Sequence, residues 1–277
     1  MSKIDANSSL FALDDKVIVI TGGTGVLGSA MAKYLAGEGA RVVIIGRSEA
    51  SAKALLDEIS AAEGKTTFIS ADVTMESDLE SATEALRAEF GKIDVLINAA
   101  GGNMPGAVVK PNESIMDSDT EAVRGVMELN YLGTYLPIKI FLPLFLDNGK
   151  GSIINVSSMS ADRPLSRVMG YSSAKAAIDN LTKWLAVEFA AKYGESLRVN
   201  AIAPGFFLTH QNKELLTNQD GSLTSRGQQI VSSTPMKRFG DPQELLGAVH
   251  WLCSDASSFV TGTIVPVDGG FGAFSGV

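Results

Sequence analysis

Short β-branched apolar runs alternate with longer stretches rich in Ala and Leu along nearly the whole chain. The apolar runs predict strands over 16–21, 41–46, 65–70, 93–98, 152–157, 197–202 and 263–267. Between them the pattern predicts helices near 26–37, 49–62, 76–90, 119–146, 170–193 and 241–254. Strands that alternate with helices imply right-handed crossovers and a parallel sheet covered on both faces. The stretches 17–20 and 42–45 are apolar at every position, as expected of strands buried on both sides. No repeat, low-complexity tract or linker divides the chain, so residues 1–277 are expected to form a single α/β domain.

Two segments break the alternation, one near 101–118 and the other near 204–240. Each follows a predicted strand and so emerges at the carboxyl edge of the sheet, where open α/β folds bind ligands. Long connections in a compact domain are commonly functional.

Composition narrows the function. Hydrophobic residues make up 45% of 277 and charged residues 19%, enough apolar mass for a large core. Lys and Arg number 23 against 31 Asp and Glu, a net charge of −8, which argues against nucleic acid as a partner. One cysteine, Cys253, closes no internal disulfide, and His210 and His250 stand forty residues apart without ligand spacing, so no metal site is expected. The first ten residues lack the order of a secretory signal. The apolar stretch 135–146 is short and carries Pro137, Lys139 and Pro143, which argues against a membrane span. A soluble, cytoplasmic protein is expected.

The first predicted strand runs into TGGTGVLG, Thr21 to Gly28, and then into a helix. Glycines at 23, 25 and 28 in a strand–turn–helix context let backbone approach a pyrophosphate while a helix N-terminus offers free amides. This is the signature of a doubly wound Rossmann sheet of about seven strands. Further along come Asp72 and Val73, NAAG at Asn98–Gly101 and Asn130. They are followed by Ser158, YSSAK at 171–175, and Pro204 with Gly205. Together, in this order, they resemble the short-chain dehydrogenase/reductase superfamily over nearly the whole chain. One departure is visible: the compact branch carries glycine at the position of Val26.

The residues themselves support part of that chemistry. Tyr171 and Lys175, four apart, share one helix face, and a neighbouring ammonium is expected to lower the phenol pKa from its usual ~10. Strand 2 ends in Gly46 and Arg47, where a NAD binder carries a carboxylate for the ribose. Arg47 can meet a 2′-phosphate instead, so NADP(H) is favoured over NAD(H).

The resemblance implies the remaining roles. Asn130, Ser158, Tyr171 and Lys175 become catalytic. Ser158 bonds the substrate oxygen, and Asn130 holds a water that links Lys175 to solvent. Gly22, Thr24, Gly25, Leu27, Gly28, Arg47, Ser48, Asp72, Val73, Asn98, Ala100, Gly101, Tyr171, Lys175, Pro204, Gly205, Phe207 and Thr209 become cofactor-binding. The strand order 3-2-1-4-5-6-7 and a homotetramer follow from the same resemblance. Asn103, Ser158, Ser160, Arg163, Tyr171 and Gln211 are the substrate candidates, with Arg167, His210, Asn212 and Lys213 beside them. Cationic groups gathered against an acidic background point to a small anionic substrate. The stretches at 99–105, 203–212, 233–240 and 265–277 resemble a sugar-acid subgroup, the D-mannonate oxidoreductases or fructuronate reductases. Relatives there act on gluconate or on 4-deoxy-L-erythro-5-hexoseulose uronate. A lipid or steroid reductase would instead line 204–236 with apolar residues, and a non-catalytic dinucleotide sensor would not need all four catalytic groups.

Overall fold

The computed structural model describes residues 10–208 and 213–275, apart from the side chain of Glu214. Its strands are β1 (Val17–Thr21), β2 (Arg41–Gly46), β3 (Lys65–Ser70), β4 (Val95–Asn98), β5 (Gly151–Val156), β6 (Leu197–Pro204) and β7 (Ile264–Val267). They form one parallel sheet in the order β3-β2-β1-β4-β5-β6-β7, as the resemblance implied. The helices are α1 (Val26–Gly37), α2 (Glu49–Ala61), α3 (Glu76–Phe90), α4 (Thr120–Met127), α5 (Gly133–Asn148), α6 (Met169–Tyr193), α7 (Lys213–Leu216), α8 (Ser225–Ser233) and α9 (Leu246–Cys253).

Alternation along the strands divides the core in two. Val17 and Val19 of β1, with Val43 and Ile45 of β2, pack under Leu79, Leu86, Phe141, Phe145, Leu185 and Phe189 of α3, α5 and α6. Ile18 and Ile20, with Val42 and Ile44, pack under Met31, Leu35, Leu55, Ile59, Val249 and Leu252 of α1, α2 and α9. Both faces are covered, which is why these strands read as uninterrupted apolar runs. β4 starts at Val95 rather than at 93, and Asp94 just before it ties the entry to the strand, its backbone bonding the Val17 carbonyl and the Ser152 amide. Its carboxylate accepts the Val17 amide at 2.9 Å, the Lys92 ammonium at 2.9 Å and the Asn148 amide at 2.9 Å.

The predicted helix near 119–146 is one helical run, Thr120–Asn148, long and apolar enough by composition to cross a membrane. Leu136, Ile138, Phe141, Leu144 and Phe145 of that run are nevertheless buried in the core. Between α4 and α5 the run loosens into a π-turn over Glu128–Leu132, with Asn130 at its centre. π-Turns inside helices cluster at functional sites.

Candidate active site

In a parallel sheet every strand delivers its following loop to the same edge. A cleft of about 510 Å³ runs along that edge. It is lined by Gly22, Thr24, Gly25, Leu27 and Gly28 after β1, Arg47 after β2, and Asp72 and Val73 after β3. Ala100 and Gly101 after β4, Tyr171 and Lys175 of α6, and Gly205 and Phe207 after β6 complete it.

The glycine turn has no room for side chains. Gly22 holds φ +65°, and a Cβ there would lie 2.7 Å from Ala100 Cα. A Cβ on Gly28 would lie 2.3 Å from the Gly22 carbonyl oxygen. The close contacts fall at Gly22 and Gly28, whereas Val26 opens α1 and faces the cleft, which accounts for a side chain at that position. Gly25 precedes α1 and offers it no side-chain cap, leaving first-turn amides for an anion. These features fit the pyrophosphate of a nicotinamide dinucleotide.

Asp72 shapes the neighbouring wall. Burial works to raise its carboxyl, but the Thr74 amide and hydroxyl, with the Arg47 charge, outweigh burial and hold it below the ordinary value. Arg47 itself is exposed at the cleft mouth.

Other predicted cofactor residues stand behind the cleft wall. Ser48 caps α2, accepting the Ser51 amide at 3.4 Å. Asn98 is buried and donates to Asn155 Oδ1 at 3.0 Å, beginning a polar chain through Asn155 to Thr182. Pro204 is the last residue of β6. Thr209, His210, Gln211 and Asn212 lie outside the described residues.

The four predicted catalytic residues converge at the Gly101 end of the cleft. A Cβ on Gly101 would sit 2.7 Å from Asn130 Oδ1 and 3.2 Å from Lys175 Nζ, so both groups flank one point. Ser158 lies in the loop after β5, accepts the Ser160 amide at 3.1 Å and stands close enough to the Tyr171 hydroxyl to favour its ionised form. Lys175 is buried, donates to the Val156 carbonyl at 2.8 Å and lies 5.5 Å from the Tyr171 ring centroid. Asn130 is fully buried. Its Nδ2 donates to Gly102 O at 2.7 Å and Val126 O at 2.8 Å, and its Oδ1 accepts the Gly102 amide at 3.2 Å. With both amide protons committed, Asn130 clamps the loop after β4 and keeps only spare Oδ1 capacity for a water.

The electrostatics differ from the sequence expectation. Burial pushes the Tyr171 phenol up, with the Ser158 hydrogen bond opposing, and Lys175 does not reverse this. The reason is that burial also draws the Lys175 ammonium down to about 8, with the Asp179 charge opposing. A phenol raised in this way keeps its proton at neutral pH, the form a general acid needs. Asp179 lies one helical turn beyond Lys175 and is raised chiefly by its own burial, against the Ser157 hydroxyl, Lys183 and Lys175. The i,i+4 spacing could have revealed it.

The substrate candidates disperse. Asn103 is exposed on the loop after β4. Ser160 is fully buried and lines a second cavity of about 390 Å³, beside Arg167 and Ser172. Arg163 donates to the Gly272 carbonyl at 3.2 Å, with Asp162 at 3.6 Å, so it is engaged by the C-terminal loop. Lys213 is exposed at the start of α7. The polar run at 217–222 forms its own turn: Asn218 donates to Ser222 Oγ at 2.9 Å and Ser222 to Asp220 at 2.6 Å.

A glycine-lined cleft at the carboxyl edge, ending in a serine–tyrosine–lysine group, defines a nicotinamide-dinucleotide-dependent oxidoreductase. The family described as enoyl-(acyl carrier protein) reductase matches residues 24–272, and the chain belongs to it, within the short-chain dehydrogenase/reductase superfamily. The chain is 48% identical over 274 residues to the uncharacterized oxidoreductase UxuB of Bacillus subtilis, covering 96% of this chain and 98% of that one. A crystal structure from Haemophilus with NAD bound, provisionally named a D-mannonate oxidoreductase, is 39% identical with TM-score 0.89, covering 97% of this chain and 100% of that one. An actinorhodin polyketide ketoreductase variant with NADPH is 26% identical with TM-score 0.83, covering 94% of this chain and 98% of that one.

Proposed function

We propose that the protein reduces a carbonyl of a six-carbon sugar acid of the D-mannonate/fructuronate type, with NADP(H) favoured over NAD(H). The observation that carries the substrate class is the likeness, over 97% of the chain, to the Haemophilus protein named for D-mannonate. Arg47 at the cleft mouth, with Gly46 where a ribose-binding carboxylate would stand, supports the cofactor preference.

The bound dinucleotide supplies hydride. Tyr171 protonates the developing alkoxide, and Ser158, oriented by the Ser160 amide, donates to the same oxygen. Lys175 and the Asn130 Oδ1 both adjoin Gly101, and a water held by the two would replace the tyrosine proton. Asn130 holds the loop after β4 in place while this happens.

The working assembly is proposed to be a cytoplasmic homotetramer. Trp184 and Val187 stand exposed on α6, and Tyr135 and Leu146 on α5, as expected of helices that pair across subunits. A panel of D-fructuronate, 4-deoxy-L-erythro-5-hexoseulose uronate and 5-ketogluconate, each with NADPH and NADH, tests the reading. Turnover of D-fructuronate well above the other two supports the type, and a winner among the others reassigns it within the sugar acids. If the protein turns over none of them but reduces neutral or steroid ketones, the sugar-acid reading is wrong. A monomer by light scattering overturns the assembly alone.

A further inference from the structure

We propose that the C-terminal loop after β7 positions the reducing end of the cleft, with Arg163 and Phe271 as its positioning residues. Arg163 latches the loop to the segment that carries Ser158, and Phe271 backs Phe206 at the nicotinamide end. The inference rests on the hydride and proton transfer described above, and not on the choice of substrate.

Each link in this arrangement is a direct contact. Ser158 opens the turn Met159–Ala161, and its carbonyl accepts the Ala161 amide at 3.0 Å. The Met159 carbonyl accepts the Arg163 amide at 3.1 Å, so Arg163 is carried on the same turn as Ser158. Arg163 Nε then donates to the Gly272 carbonyl at 3.2 Å. The Gly272 amide donates to Asp268 Oδ2 at 2.7 Å, and the Gly270 amide donates to Oδ1 at 2.8 Å. Gly269 and Gly270 hold φ +63° and +87°, a turn that other residues would strain. Asp268 directly follows β7 and lies against Gly205. A Cβ on Gly205 would lie 2.6 Å from Asp268 Cα, and the Gly205 amide donates to the Val267 carbonyl at 2.9 Å.

The loop thereby joins two segments of the site that the sequence places far apart, the turn after β5 and the residues after β6. Gly205 and Phe206 line the same cleft as Tyr171 and Lys175. Hydride and proton must reach one carbonyl, so the nicotinamide end of that cleft is the end that holds Tyr171. The Phe206 ring meets the Phe271 ring edge-on, with centroids 5.3 Å apart and planes at 66°. Phe206 thus touches both the cleft and the C-terminal loop. An edge-to-face pair favours one orientation besides burying area, so Phe271 decides where the Phe206 ring rests. The Met236 amide donates to the Gly269 carbonyl at 3.1 Å, which fastens the connection after β6 to the same loop. Arg163 is the link between this assembly and Ser158, and without it the two segments meet the substrate independently.

Two measurements test the role of the loop. In the first, NADPH and its nicotinamide-free fragment 2′-phospho-ADP-ribose are titrated calorimetrically; NADH and ADP-ribose replace them if NADH binds more tightly. Phe271→Ala is expected to weaken the dinucleotide about 3- to 10-fold, the scale of one aromatic pair, and to leave the fragment unchanged. Phe271→Tyr keeps the ring and should restore the dinucleotide. Equal weakening of dinucleotide and fragment would mean that Phe271 only stabilises the fold, and no weakening of either would mean that it does not back Phe206; both overturn the proposal. In the second, amide hydrogen exchange is followed residue by residue. Arg163→Met is expected to speed exchange at Gly272 and, across the latch, at Ser160 by about 2- to 10-fold, the scale of one hydrogen bond, with Arg163→Lys restoring part. Exchange at Ser160 that stays at its wild-type rate overturns the latch. Neither measurement uses a sugar acid, so failure to reduce D-fructuronate leaves the loop's role standing, and loss of that role leaves the substrate reading standing.

Discussion

Lys175 carries a measurable signature of its burial. Its ammonium ionises at about 8 in the folded protein against 10.5 for an unburied lysine, burial being the main cause and the Asp179 charge opposing it. Between these values the unfolded chain holds a proton that the folded protein has lost. Stability contributed by Lys175 therefore rises with pH across that window. Below pH 8 both states are protonated, and the burial penalty is constant. The gap from 8 to 10.5 corresponds to about 3 kcal/mol, most of which falls between pH 7 and 10. Lys175→Met keeps the volume and removes the titration. Urea unfolding of the cofactor-free wild type and variant at pH 7, 8, 9 and 10 isolates Lys175 and the Asp179 charge coupled to it, because ionisations independent of Lys175 cancel in the difference. Wild-type stability relative to the variant should climb by about 2–3 kcal/mol over that range. A flat difference would mean that the ammonium reaches water and that the Val156 contact at 2.8 Å is not its resting partner. Asp179→Asn removes the opposing charge and should start the climb at lower pH.

Tyr171→Phe should cut turnover by about 10²- to 10⁴-fold while dinucleotide affinity, read by fluorescence titration, stays within a factor of a few. Since burial raises the Tyr171 phenol, alcohol oxidation in the wild type should speed up as pH rises into the alkaline range, and carbonyl reduction should slow. Arg47→Asp should weaken NADPH binding by at least about tenfold and NADH binding far less. A wild type that already binds NADH much more tightly than NADPH would falsify the role given to Arg47. Asn130→Ala leaves the Gly102 amide and two carbonyls without partners and should cost about 2–4 kcal/mol in urea unfolding, with amide exchange at Gly102 faster than in the wild type.

Fold and catalytic site were legible in the sequence where local rules decide the outcome. The runs at 17–20 and 42–45 read as strands covered on both sides because residues alternate between two buried faces. The glycine turn was readable because its contacts are short-range, Gly28 lying against the Gly22 carbonyl. Tyr171 and Lys175 were readable because an i,i+4 pair needs only one helix. The tie that Asp94 makes at the entry to β4 was not legible, because its partners Val17 and Asn148 lie far away in sequence. The π-turn at Glu128–Leu132 was invisible because one extra residue in a helical turn leaves no compositional mark.

Substrate recognition was the least legible part, and the reason is physical. A carboxylate-binding group is defined by what surrounds it, and those surroundings are assembled by packing across the fold. Arg163 and Arg167 look equivalent in the sequence, four residues apart in one loop. In the fold, the Gly272 carbonyl of the C-terminal loop engages Arg163, whereas Arg167 lines a separate cavity beside α6. Likewise the polar run at 217–222 suggests a hydrophilic pocket wall, yet its side chains satisfy one another in a turn. Counting polar residues near a site therefore overstates what they offer a ligand. The informative quantity is the hydrogen-bonding and charge capacity left over after the protein has satisfied itself. By that measure Arg163, already held by the Gly272 carbonyl, offers a ligand less than its place among the cationic residues of the sequence suggests.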